Sequence, residues 1–137
     1  MDDETEAMIA AARAAMANAY APYSNFPVGA AVQSESGSVF VGANVENAAY
    51  PQGQCAEASA IGALVAAGGR RIRRVVVMGG KAGDGLLCTP CGGCRQRLRE
   101  FAADDVAVHV CGPEGLRRTF RLGELLPHSF GPDNLDA

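Results

Sequence analysis

The stretch RVVVMGGKAGDGLLCTPCGGCRQRLREFAADDVAVHV, residues 74–110, carries the most informative pattern in the chain. It begins with an apolar run at 74–78 and ends with a second one at 106–110, and both are typical of buried strands. Between them, Pro90 stands where proline is favoured at a helix start, which predicts a helix from about 91 to 103. A strand, a helix and a strand in this order predict a right-handed crossover and a parallel strand pair.

The flanking sequence adds further helices and strands to this unit. Apolar residues recur with helical periodicity over 5–19, and a run of strong helix formers over 55–67 ends at two glycines. Strands are predicted at 28–33, 39–44 and 118–122, and a short helical turn at 124–126. The sequence therefore predicts an α/β fold with three layers, α/β/α, around a mixed five-stranded sheet. The length of 137 residues predicts one domain, residues 1–137.

Composition and charge exclude several classes of protein. Hydrophobic residues make up 48% of the chain and charged residues 20%, as in ordinary globular domains, so a disordered chain is excluded. The net charge of −3 argues against a nucleic-acid polymer as partner and favours a small neutral substrate. No apolar run approaches the roughly 18 residues of a membrane span, and residues 2–4 are acidic, unlike a signal peptide. We therefore expect a cytoplasmic protein that does not contact membranes.

The candidate chemistry lies with the cysteines. Of the five, Cys55 stands at the start of one predicted helix, and Cys88, Cys91 and Cys94 lie around the start of another. A reducing cytoplasm disfavours disulfides, and the positive end of a helix dipole stabilises thiolates. Cys91 and Cys94 are three residues apart, so they face the same side of a helix. These cysteines together predict a metal site.

Three kinds of metal site fit this pattern. All four cysteines could close a structural zinc site. The Cys-x-x-Cys-x-x-Cys run could hold an iron–sulfur cluster, although the residues after Cys94 do not complete the bacterial spacing. The third possibility is catalytic zinc with three cysteine ligands and one open position. Glu57 favours it, because it follows Cys55 by two residues and could reach that open position.

Several motifs together resemble the small homotetrameric cytidine deaminases. The motifs are Tyr20-Ala-Pro-Tyr-Ser-Asn-Phe26, Asn44-Val-Glu46-Asn-Ala48-Ala-Tyr50-Pro, Cys55-Ala-Glu57, Pro90-Cys91-Gly-Gly-Cys94-Arg95-Gln and Leu125-Leu-Pro-His-Ser-Phe130. They extend over nearly the whole chain, approximately residues 7–135. The resemblance implies a cytidine deaminase-like fold, a bound Zn²⁺ and a homotetramer.

The resemblance also implies a role for each matching residue. Cys55, Cys91 and Cys94 would bind zinc, and Glu57 would move the protons. Phe26 would stack on the pyrimidine, and Asn44 and Glu46 would form hydrogen bonds to the ribose. Phe130 would close the pocket of a neighbouring subunit. Ala48 and Tyr50 would act across a subunit interface.

One residue departs from the family pattern. The family commonly has Arg after Cys-Ala-Glu, and here the residue is Ala58. Three thiolates leave zinc with a negative set of ligands, so Arg95 and the two helix dipoles are expected to offset that charge.

The implied reaction is hydrolytic deamination of free cytidine or deoxycytidine to uridine or deoxyuridine and ammonia, as in pyrimidine salvage. One alternative is deamination of another aminated nucleoside, such as blasticidin S. An alternative of a different class is a non-enzymatic zinc-binding module with four cysteine ligands.

Overall fold

The computed structural model describes residues 1–135. Its helices are α1 (Asp3–Met16), α2 (Ala56–Ala66), α3 (Gly92–Phe101) and α4 (Leu122–Leu125), with single 3-10 turns at Tyr50–Gln52 and Pro132–Leu135. Its strands are β1 (Val28–Ser34), β2 (Val39–Ala43), β3 (Ile72–Gly79), β4 (Ala107–Gly112) and β5 (Gly115–Arg121). Within these residues, no helix combines the length and the apolar character that crossing a membrane requires.

The five strands form one mixed sheet in the order β2-β1-β3-β4-β5. β3 and β4 are parallel, with Val76 opposite His109, and the connection between them contains α3. The other three neighbouring pairs are antiparallel. This arrangement confirms the predicted crossover and the predicted mixed five-stranded sheet.

Helices cover both faces of the sheet because β3 is apolar on both sides. Val76 and Met78 pack with residues of α1, including Met8 and Ala12. Val75 and Val77 point to the opposite face, where they pack with residues of α2 and α3. Alternate residues of a strand point to opposite faces, so one apolar run supports two helical layers. The predicted three-layer architecture is confirmed.

Every predicted helix and strand is present, but several ends differ. The first helix ends at Met16 rather than at 19, because the N–H of Tyr20 already donates to the carbonyl of Asn44, at 3.0 Å. The last strand begins at Gly115 rather than at 118, because a two-residue turn joins it directly to β4. Polar and exposed residues on this edge strand obscured its start in the sequence.

Two glycines set how closely the helices approach the sheet. A Cβ at Gly29 of β1 would lie 2.1 Å from the carbonyl oxygen of Ala12 in α1. A Cβ at Gly42 of β2 would lie 2.4 Å from the carbonyl oxygen of Ala56 and 2.5 Å from the nitrogen of Ala60, both in α2. Gly42 therefore determines where the first turns of α2 rest against the sheet.

We expect Gly29→Ala to destabilise the protein by about 1–3 kcal/mol, because the added methyl group forces α1 away from the sheet. Gly62→Ala is the matched control: Gly62 lies in α2 with nothing within 4 Å of its Cβ position. Alanine there favours the helix by roughly 0.5–1 kcal/mol. Urea unfolding of the two variants measures both effects, and equal midpoints would contradict the close approach.

Candidate active site and metal centre

Three cysteine thiols meet where two helices begin. Cys55 is the N-cap residue of α2, and Cys91 is the N-cap residue of α3. Cys94 follows in the first turns of α3 and is buried. The three Sγ atoms all lie within 4.8 Å of one another. The structure thus brings together the three cysteines that the sequence predicted as zinc ligands.

The thiol cluster fits a tetrahedral zinc ion. Zn–S bonds of about 2.3 Å place two thiolate sulfurs of a tetrahedral site about 3.8 Å apart, so small side-chain adjustments complete the geometry. Among residues 1–135, the cluster contains Cys55, Cys91 and Cys94 but not Cys88. A fourth protein thiol is therefore not supplied at this position, which disfavours both the closed zinc site and a four-cysteine iron–sulfur cluster.

The electrostatic surroundings of the thiols differ. The backbone N–H of Cys94 is the main influence that lowers the pKa of the Cys91 thiol. Burial raises the pKa of Cys55 and, more strongly, that of Cys94. A metal ion favours the thiolate form, so binding of the ion releases protons from these groups.

Glu57 lies in the first turn of α2, beside this cluster. Its side chain is buried, with 5% of the residue exposed. Burial raises the pKa of the Glu57 carboxyl. Hydrogen bonds from its own backbone N–H and from Cys94 oppose that rise, as does the positive charge of Arg97. A buried carboxyl with a raised pKa next to a metal site is a candidate for proton transfer.

A cavity of 210 Å³ joins these groups to part of the predicted substrate site. Its lining comprises Phe26, Val28, Asn44, Cys55, Ala56, Glu57, Cys88, Thr89 and Cys91. Phe26 and Asn44 therefore lie beside the same cavity as Glu57, and their contact with substrate stays a prediction.

Asn44 organises the backbone at the cavity entrance. Its Oδ1 accepts from the N–H of Val28 at 2.9 Å, and its Nδ2 donates to the carbonyl of Phe26 at 2.9 Å. The side chain thus connects the start of β1 to the loop before it, and it fixes the backbone of Phe26.

Glu46 holds the same loop from the other side. Its carboxylate accepts from the N–H groups of Tyr23, at 2.9 Å, and Ser24, at 3.1 Å, and from the Ser24 hydroxyl. These bonds lower the pKa of Glu46. Glu46 and Tyr50 line a neighbouring cavity of 370 Å³ rather than the one that contains Glu57.

Two predicted residues line neither cavity of their own chain. Ala48 is exposed, and Phe130 is 58% exposed, with its carbonyl accepting from Nε2 of Gln96 at 2.8 Å. The role toward another subunit that the resemblance implies for them stays a prediction.

Arg95 supports the segment that leads into Cys91. Its guanidinium donates to the carbonyls of Pro90 at 2.7 Å and Leu125 at 2.8 Å, and to the Thr89 hydroxyl at 3.2 Å. Its hydrogen bonds within residues 1–135 go to oxygen atoms rather than to sulfur. The predicted action of Arg95 on the thiolate charge stays a prediction.

Arg97 is a cation near the site that the sequence reasoning missed. Its Nη1 lies 3.1 Å from the Cβ position of Gly93, and that position lies 4.0 Å from the sulfur of Cys91. Arg97 follows Cys94 by three residues, and this helical spacing was the available signal.

Known proteins resemble this chain in sequence and in architecture. Residues 2–110 match the family model of the "Cytidine and deoxycytidylate deaminase zinc-binding region". The chain belongs to this deaminase family. A cytidine deaminase of Sporosarcina psychrophila is 36% identical over 132 residues, covering 96% of this chain and 95% of that protein. A cytidine deaminase of Mycobacterium tuberculosis is 41% identical over 122 residues, covering 88% and 85%.

Solved structures agree with this assignment. The crystal structure of a cytidine deaminase from Burkholderia pseudomallei matches with a TM-score of 0.84 and 42% identity, covering 95% of this chain and all of that one. Family membership confirms the predicted resemblance, the fold and the class of zinc-dependent deaminases. Zinc is the cofactor of this family, and the three-thiol cluster of this member is able to hold it.

Metal analysis of the purified deaminase is expected to find about one zinc ion per chain, the content of a single site of this kind. Cys94→Ala removes one thiolate and should abolish stoichiometric zinc. Cys88→Ala is the matched control, since Cys88 lies beside the same cavity but outside the thiol cluster. Loss of zinc from Cys88→Ala, or iron in the wild-type protein, would contradict the three-thiol site.

Proposed function

We propose that this deaminase hydrolyses free cytidine and deoxycytidine to uridine and deoxyuridine, with release of ammonia, in pyrimidine salvage. The observation that carries the proposal is the buried Glu57 carboxyl in one cavity with Cys55 and Cys91 of the zinc-binding cluster. The curated relatives are named cytidine deaminases, which supports the same substrate.

The proposed chemistry divides between the ion and Glu57. When bound, zinc supplies the Lewis acidity that makes water a nucleophile at neutral pH. Glu57 takes a proton from the attacking water and gives it to N3 of the pyrimidine. It then takes the remaining proton of the new C4 hydroxyl and gives it to the amine, which leaves as ammonia while the C4 carbonyl forms. Burial raises the pKa of Glu57 and so strengthens the carboxylate as a proton acceptor.

Phe26, Asn44 and Glu46 would bind the nucleoside. Phe26 is 45% exposed at the cavity, so its ring is free to stack on a base. Asn44 uses one acceptor and one donor within the chain, which leaves one of each for a ribose hydroxyl. Glu46 accepts three bonds, and a carboxylate has about four acceptor positions, so one remains.

A panel of aminated compounds tests the substrate class directly. Zinc-loaded protein is incubated with cytidine, deoxycytidine, cytosine, cytidine monophosphate, adenosine and blasticidin S, and released ammonia is measured. Turnover of the first two compounds above the rest supports the proposal. Preference for blasticidin S would support the alternative nucleoside deaminase, and no turnover of any compound would favour a non-enzymatic zinc module.

Glu57→Gln should retain fold and zinc but lose about 10²–10⁴-fold in turnover, because the amide cannot carry the proton. Initial rates of cytidine deamination and zinc content are measured together. Glu100→Gln, an exposed change on α3, is the control and should leave both unchanged. A Glu57→Gln protein with more than about a tenth of the wild-type rate would exclude Glu57 as the proton shuttle.

We further propose that the protein is a cytoplasmic homotetramer whose pockets are completed by neighbouring subunits. Tyr23, Phe26 and Tyr50 line the two cavities, and Tyr20 and Val45 form a β-bridge; all five are between 45% and 74% exposed. The Tyr23 and Tyr50 rings meet edge to face with centroids 5.8 Å apart. Exposed apolar side chains grouped in this way are typical of a subunit interface. Ala48, Tyr50 and Phe130 would act across it.

Phe130→Ala should therefore lower the deamination rate several-fold and weaken the assembly, while zinc content stays unchanged. Truncating an aromatic residue at the centre of an interface removes a major part of its binding energy. Leu116→Ala, an exposed change on β5, is the control. Sedimentation velocity and initial rates are measured on both variants, and a fully active wild-type monomer would contradict the shared pocket.

A further inference from the structure

The side chain of Arg117 makes several hydrogen bonds, all of them away from the thiol cluster. It lies on β5, and its side chain is only 9% exposed. The guanidinium rests against the backbone of Gly112 on β4: a Cβ there would lie 2.2–2.3 Å from Nη2, Cζ and Nε. The position of Arg117 therefore requires glycine at 112.

The guanidinium faces the loop between β3 and α3. Nη2 donates to the carbonyl of Lys81 at 2.6 Å, and Nη1 donates to the carbonyl of Leu86 and to the carboxylate of Asp84. Nε donates to Glu114 at 2.7 Å. One side chain thus holds three positions of a single loop, with Glu114 fixing the guanidinium from the turn before β5.

The loop has few other sources of rigidity. Gly80, Gly83 and Gly85 all have positive φ angles, between 71° and 87°. Glycine adopts these angles readily, but it also restricts the backbone less than any other residue. Asp84 accepts from the N–H groups of Lys81 and Leu86, each at 2.9 Å, and thereby tightens the turn that Arg117 holds. The shape of the loop depends on this charged contact.

The two carboxylate partners of Arg117 both have lowered pKa values. Hydrogen bonds from Arg117 lower the pKa of Glu114 to about 2, and the pKa of Asp84 is lowered mainly by backbone N–H groups of the loop. Both carboxyls therefore stay ionised beside the guanidinium at neutral pH.

The loop continues directly into the wall of the cavity that contains Glu57. Cys88 and Thr89 line this cavity, and the sulfur of Cys88 packs so tightly that a Cβ at Gly79 would lie 2.6 Å from it. Glu57 itself lies on α2 and does not depend on the loop. Moving the loop would change the cavity wall without moving the proton-transfer group.

We propose that Arg117 is a positioning residue for substrate binding: by clamping residues 81–86 it sets the Cys88–Thr89 wall of the nucleoside pocket. This inference rests on the proposed nucleoside deaminase function. It assigns a binding role to a residue that contacts neither the pocket nor the thiol cluster.

Lys81 is the single lysine of the chain, so cleavage at this residue reports how often the loop opens. A lysine-specific endoprotease can cut the chain only there, and Lys81 is exposed. In zinc-loaded protein, Arg117→Ala should speed cleavage by about tenfold or more, because the local opening equilibrium loses several charged hydrogen bonds. Arg118→Ala is the matched control, since that neighbouring arginine lies over the Phe120 ring instead. Asp84→Ala removes one acceptor of the same contact and replaces Arg117→Ala should the latter not fold.

Two further readouts separate a positioning role from a merely structural one. For cytidine deamination, Arg117→Ala should raise KM by about tenfold with a smaller change in kcat, as expected for loss of binding that does not serve the chemical step. Alkylation of Cys88, followed by mass spectrometry, should become faster, and zinc content should stay at the wild-type value.

Unchanged cleavage at Lys81 would overturn the proposal. Faster cleavage with unchanged KM and unchanged Cys88 alkylation would also overturn it, because the loop would then move without affecting the pocket wall. Should the wild-type protein turn over no nucleoside, the proposed function fails, whereas cleavage at Lys81 and alkylation of Cys88 still decide whether Arg117 holds the loop and the wall.

Discussion

The N-terminal ends of α2 and α3 meet at one place, and the arrangement of the site depends on that meeting. Cys55 precedes one helix, Cys91 precedes the other, and Cys94 lies a turn further on, so that their sulfur atoms lie within 4.8 Å. Free N–H groups and helix dipoles favour thiolates here, but three neighbouring thiolates repel one another. A zinc ion removes this repulsion and joins the two helices. Metal binding and folding are therefore expected to stabilise each other.

The sheet sets the position of α2 at a glycine, where no side chain separates the strand from the helix. Gly42 allows α2 to rest on β2 at Ala56 and Ala60, and Glu57 lies between these two positions in the same turn. The carboxyl proposed to transfer protons is thus carried by a turn that packs closely on the sheet. On α3, Arg95 bonds the carbonyl of Pro90, immediately before Cys91. The start of α2 is thus held by its close approach to β2, and the start of α3 by the Arg95 side chain; both contacts restrict the direction of the thiols.

The layers of the fold and the zinc ligands were predictable because they follow local patterns. β3 alternates between two apolar faces, and the spacings in Cys55-x-Glu57 and Cys91-x-x-Cys94 place these groups at helix starts. The contacts that shape the pocket have no such pattern. Arg117 reaches the Lys81 carbonyl across 36 positions, and any residue type supplies a carbonyl. The structural use of Asn44 was hidden for the same reason, since its partners are backbone groups of the loop and of β1.

Asn44 and Glu46 combine two tasks that are often separate. Each holds the loop before β1 through backbone groups, and each retains hydrogen-bonding capacity for a ligand. Because these bonds already orient both side chains, binding of the proposed nucleoside to them would lose less conformational entropy. The thiol cluster and Glu57 stand on packed helices, whereas Asn44 and Glu46, the residues proposed to bind the nucleoside, stand in segments held by polar contacts. On the proposed function, changes in those segments would alter substrate preference while the thiol cluster and Glu57 keep their positions.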